Sequence, residues 1–250
     1  MKLCYPLSLI IMLIIFSQRL PADSHPVRNI ILNGNESFSD QQILALMQTQ
    51  VGRNFDEELL RQDFDRITAF YYESGFQFAR IDEKKLFIRK FSEGVYLRIY
   101  IDEGKIGKIT VVGNSHTQDR VIIRELLFQV GSIYIQEDEL ESERILRRKP
   151  YLGSAEIRAE RDAETMLVSI VVEVTDLWTF IPAFDLSSLN KNNADILVSL
   201  SDTNLFGSGD SARLRYQIIR EDGEKPRTLI TTRYTGARLF DSHWEFDGLY

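Results

Sequence analysis

Apolar positions follow two different periods along this 250-residue chain, and the change falls near residue 176. Before it, short β-rich runs alternate with stretches whose apolar residues recur at helical spacing. Runs at 27–33 and 105–112 each end in Gly-Asn (Gly34-Asn35 and Gly113-Asn114), a turn dipeptide that tolerates positive φ. Ser39 then reads as a helix N-cap, Gln42 completes a capping box, and Phe38 can staple onto Ile43. That helix presents Ile43, Leu46 and Met47 on one face, and Val121, Ile122, Leu126 and Leu127 play the same part later. A second helix, capped by Asp56, carries Leu59, Leu60, Phe64, Ile67, Phe70 and Tyr71 until Gly75 stops it. Its shorter counterpart, over 138–148, ends at Pro150. Strands over 77–89 with 94–102, and over 155–161 with 166–174, close the two groups.

The two groups are copies of one unit. Gly34-Asn35 matches Gly113-Asn114, Asp40 matches Asp119, Ile43 matches Ile122, Gly52 matches Gly131 and Phe55 matches Tyr134, all at one offset of 79. A register kept over so many positions marks a duplicated β-α-α-β-β unit. The repeated Gly-Asn turns therefore answer a backbone need, and the aromatic stripe of the second helix reads as core.

After residue 176 the period is two. Ala194, Ile196, Val198 and Leu200 alternate with Asp195, Ser199 and Ser201, and Ala212, Leu214, Tyr216 and Ile218 alternate with Arg213, Arg215 and Gln217. Trp178, Phe180, Phe184 and Leu186 form an earlier run, and Trp244, Phe246 and Tyr250 a later one. Strands of about ten residues with one apolar face and one arginine-bearing face suit a barrel wall with lipid outside and a polar lumen. Between two of them, Gly207-Ser208-Gly209-Asp210-Ser211-Ala212 spells the G-x-G-x-x-A dinucleotide fingerprint. That chemistry needs a helix opening on the glycines, so that its N-terminus meets the pyrophosphate. The residues that follow alternate as a strand, so Gly207 and Gly209 are read as a tight turn that binds nothing.

Composition narrows the functional classes. The chain is 44% hydrophobic and 27% charged with net charge −7, and no basic cluster offers a nucleic-acid surface. Lys2, the ten-residue apolar run 7–16 and small residues at Ala22 and Ser24 make 1–24 a secretory signal peptide. A membrane-spanning helix would need about 20 apolar residues. Cys4, the single cysteine, falls inside that segment, so the mature chain is expected to have no disulfide, thiol nucleophile or thiolate site. His25, His116 and His243 are scattered without ligand spacing, and neither a metal nor a cofactor is expected. Asp102-Glu103 and Glu137-Asp138 are adjacent acids that could split their pKa values for acid-base chemistry. Neighbours on a strand point to opposite faces and acids favour a helix start, so both pairs read as structural and no enzyme is expected.

The motifs G-N-x-x-F-S-D-x-x-I (34–43), G-x-x-F-D (52–56), Y-x-x-x-G-F-x-x-A-x-I (71–81) and I-D-E-G (101–104) resemble a POTRA, or polypeptide-transport-associated, domain. VVGN (111–114), REL (124–126) and VEVTD (172–176) resemble a second, similar to the copy beside a barrel. S-D-x-N-L-F-G-x-G (201–209) resembles the second-strand signature of a BamA-type barrel. The resemblance to the BamA/TamA superfamily implies an α+β chain: signal peptide 1–24, POTRA domains at 26–104 and 105–176, and at 177–250 the first antiparallel strands of an outer-membrane β-barrel.

It further implies a non-enzymatic assembly or translocation component, with its POTRA domains in the periplasm. Partners would be unfolded outer-membrane or secreted polypeptides, outer-membrane lipid, and periplasmic lipoproteins or chaperones. Clients would bind by β-augmentation. The expected edge strand is Gln77, Phe78, Ala79, Arg80 and Ile81. A two-partner secretion transporter with one dedicated substrate is the alternative. About five strands cannot close a barrel, which starts at about eight. The expectation is therefore a piece of a longer protein, or a truncated product acting in the periplasm.

Overall fold

The computed structural model describes residues 25–187, 193–239 and 242–249, with side chains up to residue 236. The signal-peptide reading of 1–24 and the placement of Tyr250 lie outside the described residues, as do the side chains of His243, Trp244 and Phe246.

The first unit runs β1 (Val27–Asn33), α1 (Asp40–Leu46), α2 (Glu57–Glu73), β2 (Arg80–Ile81), β3 (Phe87–Phe91) and β4 (Gly94–Asp102). The second runs β5 (Ile106–Val112), α3 (Asp119–Ile123), α4 (Gln136–Arg147), β6 (Leu152–Arg161) and β7 (Val168–Asp176). In each sheet the last strand is central. β4 takes β1 in parallel on one side and β2 with β3 antiparallel on the other, and β7 lies between parallel β5 and antiparallel β6. One core is closed by Val27, Ile43, Leu60, Ile67, Tyr71, Leu97 and Ile99, the other by Ile106, Val121, Ile122, Leu146, Ile170 and Val172.

The duplication extends to single hydrogen bonds. Val27 N–H donates to Arg53 O and Ile106 N–H to Ser132 O, each at 2.8 Å. The expected capping box at α1 is present, with Ser39 and Gln42 satisfying each other's backbone donors, and Asp56 caps α2. A second polar device recurs without a matching residue type. Buried Asp63 of α2 accepts from Gln48 N (2.7 Å) and Thr49 N (2.9 Å), and buried Ser142 of α4 accepts from Leu127 N (2.9 Å). Each ties the chain leaving the first helix to the second helix.

Three local expectations change. The strand expected over 77–89 is broken into β2, a 3-10 turn at Glu83–Lys85, and β3. The cause is polar: Asp82 accepts from Lys84 N (3.2 Å), pairs with Lys85 (3.0 Å), and Lys85 lies over the Tyr100 ring. Leu127 is half exposed, because α3 ends at Ile123 and its own backbone, not its side chain, is what Ser142 holds. Met166 falls outside β7, at φ +64 in the β6–β7 turn, where Asp162 accepts from Glu164 N and Thr165 N.

The Gly-Asn turns are required by close approach. Gly34 and Gly113 have φ of +83° and +85°, and a Cβ on either would lie 2.1 Å from the carbonyl oxygen of Ile101 or Val174 on the central strand. Asn35 and Asn114 then bond forward identically, to Phe38 O and Asp40, and to Thr117 O and Asp119. Gly113→Ala is expected to destabilise the second domain by at least about 2 kcal/mol, through strain and a backbone clash. Urea denaturation read by Tyr fluorescence and far-UV circular dichroism checks it.

Candidate functional site

Of residues 77–81, expected as the client edge, 77–79 lie at the joint between the domains and Arg80 and Ile81 form β2. Gln77 and Phe78 lie in a turn, Ala79 is buried, and only Arg80 and Ile81 pair with β4, opposite Asp102 and Ile101. Phe78 packs edge-on against Tyr134 of the second core, with ring centroids 4.8 Å apart. In exchange, Ile133 and Ile135 pack against the first core. Arg161, at the end of β6, donates to Asp102 (2.7 Å), to Phe78 O and to Met166 O, while Arg80 pairs with Asp102 at 3.2 Å. Tyr134 N–H to Gly104 O and Gln136 N–H to Gly75 O, both 3.0 Å, complete the joint. Its apolar exchange and charged clasp make the glycine-bearing linker a stiff one. Sequence reasoning missed this because Arg161 and Phe78 are 83 residues apart.

On the side of β4 where β2 lies, the longer outer strand is β3, whose one ladder is with β4. Beside it the outward sheet face carries Ile31, Phe87, Arg89, Phe91, Tyr96 and Arg98, which line a groove of about 420 Å³. Phe87 and Phe91 remain 41% and 42% exposed, enough to contact a strand laid along β3. The Arg89 guanidinium lies over both rings and that of Arg98 over Phe87, so the cations shield apolar surface without closing it.

The remaining strands form one antiparallel sheet in sequence order: β8 (Phe180–Ser187), β9 (Ala194–Leu205), β10 (Asp210–Arg220), β11 (Arg227–Leu239) and β12 (Ser242–Leu249). The register sorts its faces as the alternation implies. Rows Pro182–Leu200–Leu214–Thr232 and Phe184–Val198–Tyr216–Ile230 lie on one face, and Ala183–Ser199–Arg215–Thr231 on the other. Arg213 stands opposite Arg233, and with Arg215 and Thr231 they line one polar depression. No helix among the described residues is long and apolar enough to cross a membrane, which leaves strand-built crossing open.

Gly207 and Gly209 do sit in the β9–β10 turn, but the turn is far from idle: it docks on the second domain. Gln118 N–H donates to Gly207 O, Gln118 Nε2 to Phe206 O, and Arg124 Nη2 to Ser208 O, at 3.0, 3.0 and 3.1 Å. A Cβ on Gly207 would lie 2.0 Å from His116 O, so glycine is what allows this approach. Buried Asn204 donates to Thr117 Oγ1 (2.8 Å) and accepts from Gly209 N (2.7 Å), while His116 Nε2 meets Asn204 O at 3.0 Å.

Carboxylates anchor this dock and its counterpart. Asp176, at the end of β7, accepts from the backbone N–H groups of Ser115, His116 and Thr117 and from the Thr117 hydroxyl. Burial disfavours its charge, but the donors from Thr117, His116 and Ser115 outweigh burial and hold its carboxyl below the usual range. In the first domain, buried Glu103 accepts from Ser37 N and Oγ and from Tyr71 Oη at 2.8 Å. Burial first, then the Glu103 hydrogen bond and charge, push the Tyr71 phenol far above its ordinary range, so it stays a donor. Asp102 and Glu103 are thus occupied by structural partners. Glu137 and Asp138 lie in the first turn of α4, where burial and then Glu137 raise the Asp138 pKa.

Two rigidly joined β-α-α-β-β domains, the second docked to an amphipathic antiparallel sheet, define a tandem module at the foot of a strand-built wall. The POTRA family model, described as "Surface antigen variable number repeat", matches residues 25–104 and 105–176, and the chain belongs to that family. The outer membrane protein assembly factor BamA of Buchnera aphidicola is 23% identical over 245 residues, covering 90% of this chain and 38% of that protein. The chain spans less than half the length of the curated relatives it matches. Among solved structures, the N-terminal domain of Omp85 from Thermosynechococcus elongatus has a TM-score of 0.54 at 18% identity, covering 62% of this chain and 68% of that one. CdiB from Escherichia coli has a TM-score of 0.52 at 16% identity, covering 92% of this chain and 46% of that one. Both are likenesses of fold.

Because the folded Asp176 carboxyl is held down, its stabilisation is present above the unfolded carboxylate value of about 3.9 and is lost as pH falls through the lower folded value. Thermal melts from pH 7 to pH 2 are expected to show this acid-side loss. Asp176→Asn should remove that component and cost about 2 kcal/mol at pH 7, the scale of hydrogen bonds to a charged acceptor.

Proposed function

We propose that this chain serves outer-membrane protein assembly, its first domain receiving extended client polypeptides by strand addition and its C-terminal sheet entering the membrane. The observation that carries the reading is the open β3 edge beside an aromatic groove, in a domain fixed through a stiff joint and a docked turn to an amphipathic sheet. Main-chain hydrogen bonds to β3 accept any extended sequence, and Phe87, Phe91 and Ile31 supply apolar contact without demanding one side-chain pattern. Such tolerance suits unfolded outer-membrane or secreted polypeptides. The similarity to an assembly factor along 90% of the chain supports the same reading.

The β9 and β10 strands, 12 and 11 residues long, match the length a tilted strand needs to cross a bilayer. Their apolar rows would face outer-membrane lipid and the Arg213–Arg215 face a polar lumen, leaving both POTRA domains in the periplasm, within reach of lipoproteins or chaperones. The site residues follow the same logic: Arg80 and Ile81 extend the β3 edge, while residues 77–79 hold the joint on which its placement depends. A two-partner secretion transporter would use the same edge for one dedicated substrate, and the CdiB fold likeness is compatible with it.

Phe87→Ser combined with Phe91→Ser is expected to weaken binding of extended membrane-strand peptides about tenfold, from lost apolar burial, while leaving the melting temperature within a few degrees. Fluorescence anisotropy with several unrelated strand peptides checks it. Unchanged affinity would remove β3 as the site, and binding of a single peptide among many would favour the dedicated transporter.

A further inference from the structure

The second domain has an edge strand too, and side chains sit on it. β6 is the outer strand of the β5-β7-β6 sheet, with α4 packed against it. Arg147 Nε donates to Ala155 O at 2.9 Å, and Glu143 Oε2 accepts from Ile157 N at 3.1 Å. The two side chains, one helical turn apart on α4, are themselves paired, Arg147 Nη2 to Glu143 Oε1, at 2.7 Å. Along a strand, the N–H and C=O of alternate residues point the same way, so Ala155 O and Ile157 N are neighbouring groups on the outward side of β6. They are the acceptor and donor that one residue of an added parallel strand would use. The guanidinium supplies the N–H of that missing residue and the carboxylate its C=O.

The first domain has no such device. At the repeat offset of 79, Glu143 and Arg147 correspond to Phe64 and Thr68 of α2, which cannot form an acceptor–donor pair of this reach. One chain therefore carries a bare edge at β3 and an occupied edge at β6.

We infer that the Glu143–Arg147 pair is a strand mimic that closes the β6 edge, and that β6 is a second acceptor for an extended polypeptide, opened when the pair is displaced. The inference rests on the strand-addition reading above and adds where addition is withheld. Displacement is within reach of an incoming strand, because Arg147 is 58% exposed and a partly solvated ion pair holds weakly. A strand that adds to β6 meets exposed Glu156, Arg158 and Glu160 on the outer face, so this edge favours segments with alternating charge over the apolar segments suited to β3.

The test uses the full chain in detergent micelles, with two fluorescein-labelled probes, a strand peptide of alternating lysine and glutamate for β6 and the peptide of residues 194–203 for β3, and a benzophenone side chain placed at position 160 on β6 or at position 90 on β3. Glu143→Ala combined with Arg147→Ala should raise crosslinking at 160 about tenfold over the unaltered chain and leave that at 90 unchanged, the gain expected when two charge-assisted hydrogen bonds no longer compete. Amide exchange of Ile157 should accelerate in the same protein. Arg147→Lys, which keeps the charge but not the fork, should give an intermediate gain and serves if the double variant fails to fold. Unchanged crosslinking at 160 in a folded variant, with labelling at 90 intact, overturns the closed-edge inference alone. Absence of labelling at both positions in every protein overturns it together with strand addition.

Discussion

A carboxylate placed at the end of each central strand is what the rest of the molecule hangs on. Glu103 follows β4 and accepts from the Ser37 backbone and hydroxyl, while Asp176 ends β7 and gathers the backbone N–H groups of Ser115, His116 and Thr117, each in the loop after a Gly-Asn turn. In the second domain three backbone donors of that loop and the Thr117 hydroxyl lack a partner in regular structure, and a hydrogen bond to a charged acceptor contributes about 1.5–3 kcal/mol. One charged acceptor settles that need and at the same time positions the first helix over the sheet. In the second domain the same acceptor reaches further: Thr117 relays it to Asn204, and Asn204 to Gly209, so the end of β7 and the β9–β10 turn share one buried polar chain.

The joints between the units are built from specific contacts. The first domain is held to the second by reciprocal apolar insertion, Phe78 one way and Ile133 with Ile135 the other, and by Arg161 clasping Asp102 and the Phe78 carbonyl. The second domain is held to the sheet by Gln118, Arg124 and Asn204. On the strand-addition proposal, a client strand held by the first domain would be presented at an orientation fixed by these contacts.

Edges decide where such a strand can go. A sheet edge is an unpaired row of donors and acceptors, and proteins either use it or cover it. Here the outcome differs between two copies of one unit. β3 is flanked by aromatic side chains that add contact, whereas β6 has its outward carbonyl and amide taken by Arg147 and Glu143. The two copies differ at the matching positions of the second helix: Phe64 and Thr68 in one, Glu143 and Arg147 in the other.

What the sequence determined alone is what short-range physics governs. The β-α-α-β-β order, the offset of 79, the capping box at Ser39 and Gln42, and the period-two alternation beyond residue 176 all rest on backbone needs or on one face meeting an apolar medium. These leave their mark within a few residues. Gly34 and Gly113 were legible as turns for the same reason. The tertiary structure alone decided that 77–79 form a joint and that only Arg80 and Ile81 remain a strand, since Asp82 ends that strand locally while Arg161, 83 residues from Phe78, holds the turn. It alone decided that Gly207 must be glycine, because the atom it would strike is the carbonyl of His116 in another domain. Contacts between distant segments follow from where the chain brings them, and no periodicity records that.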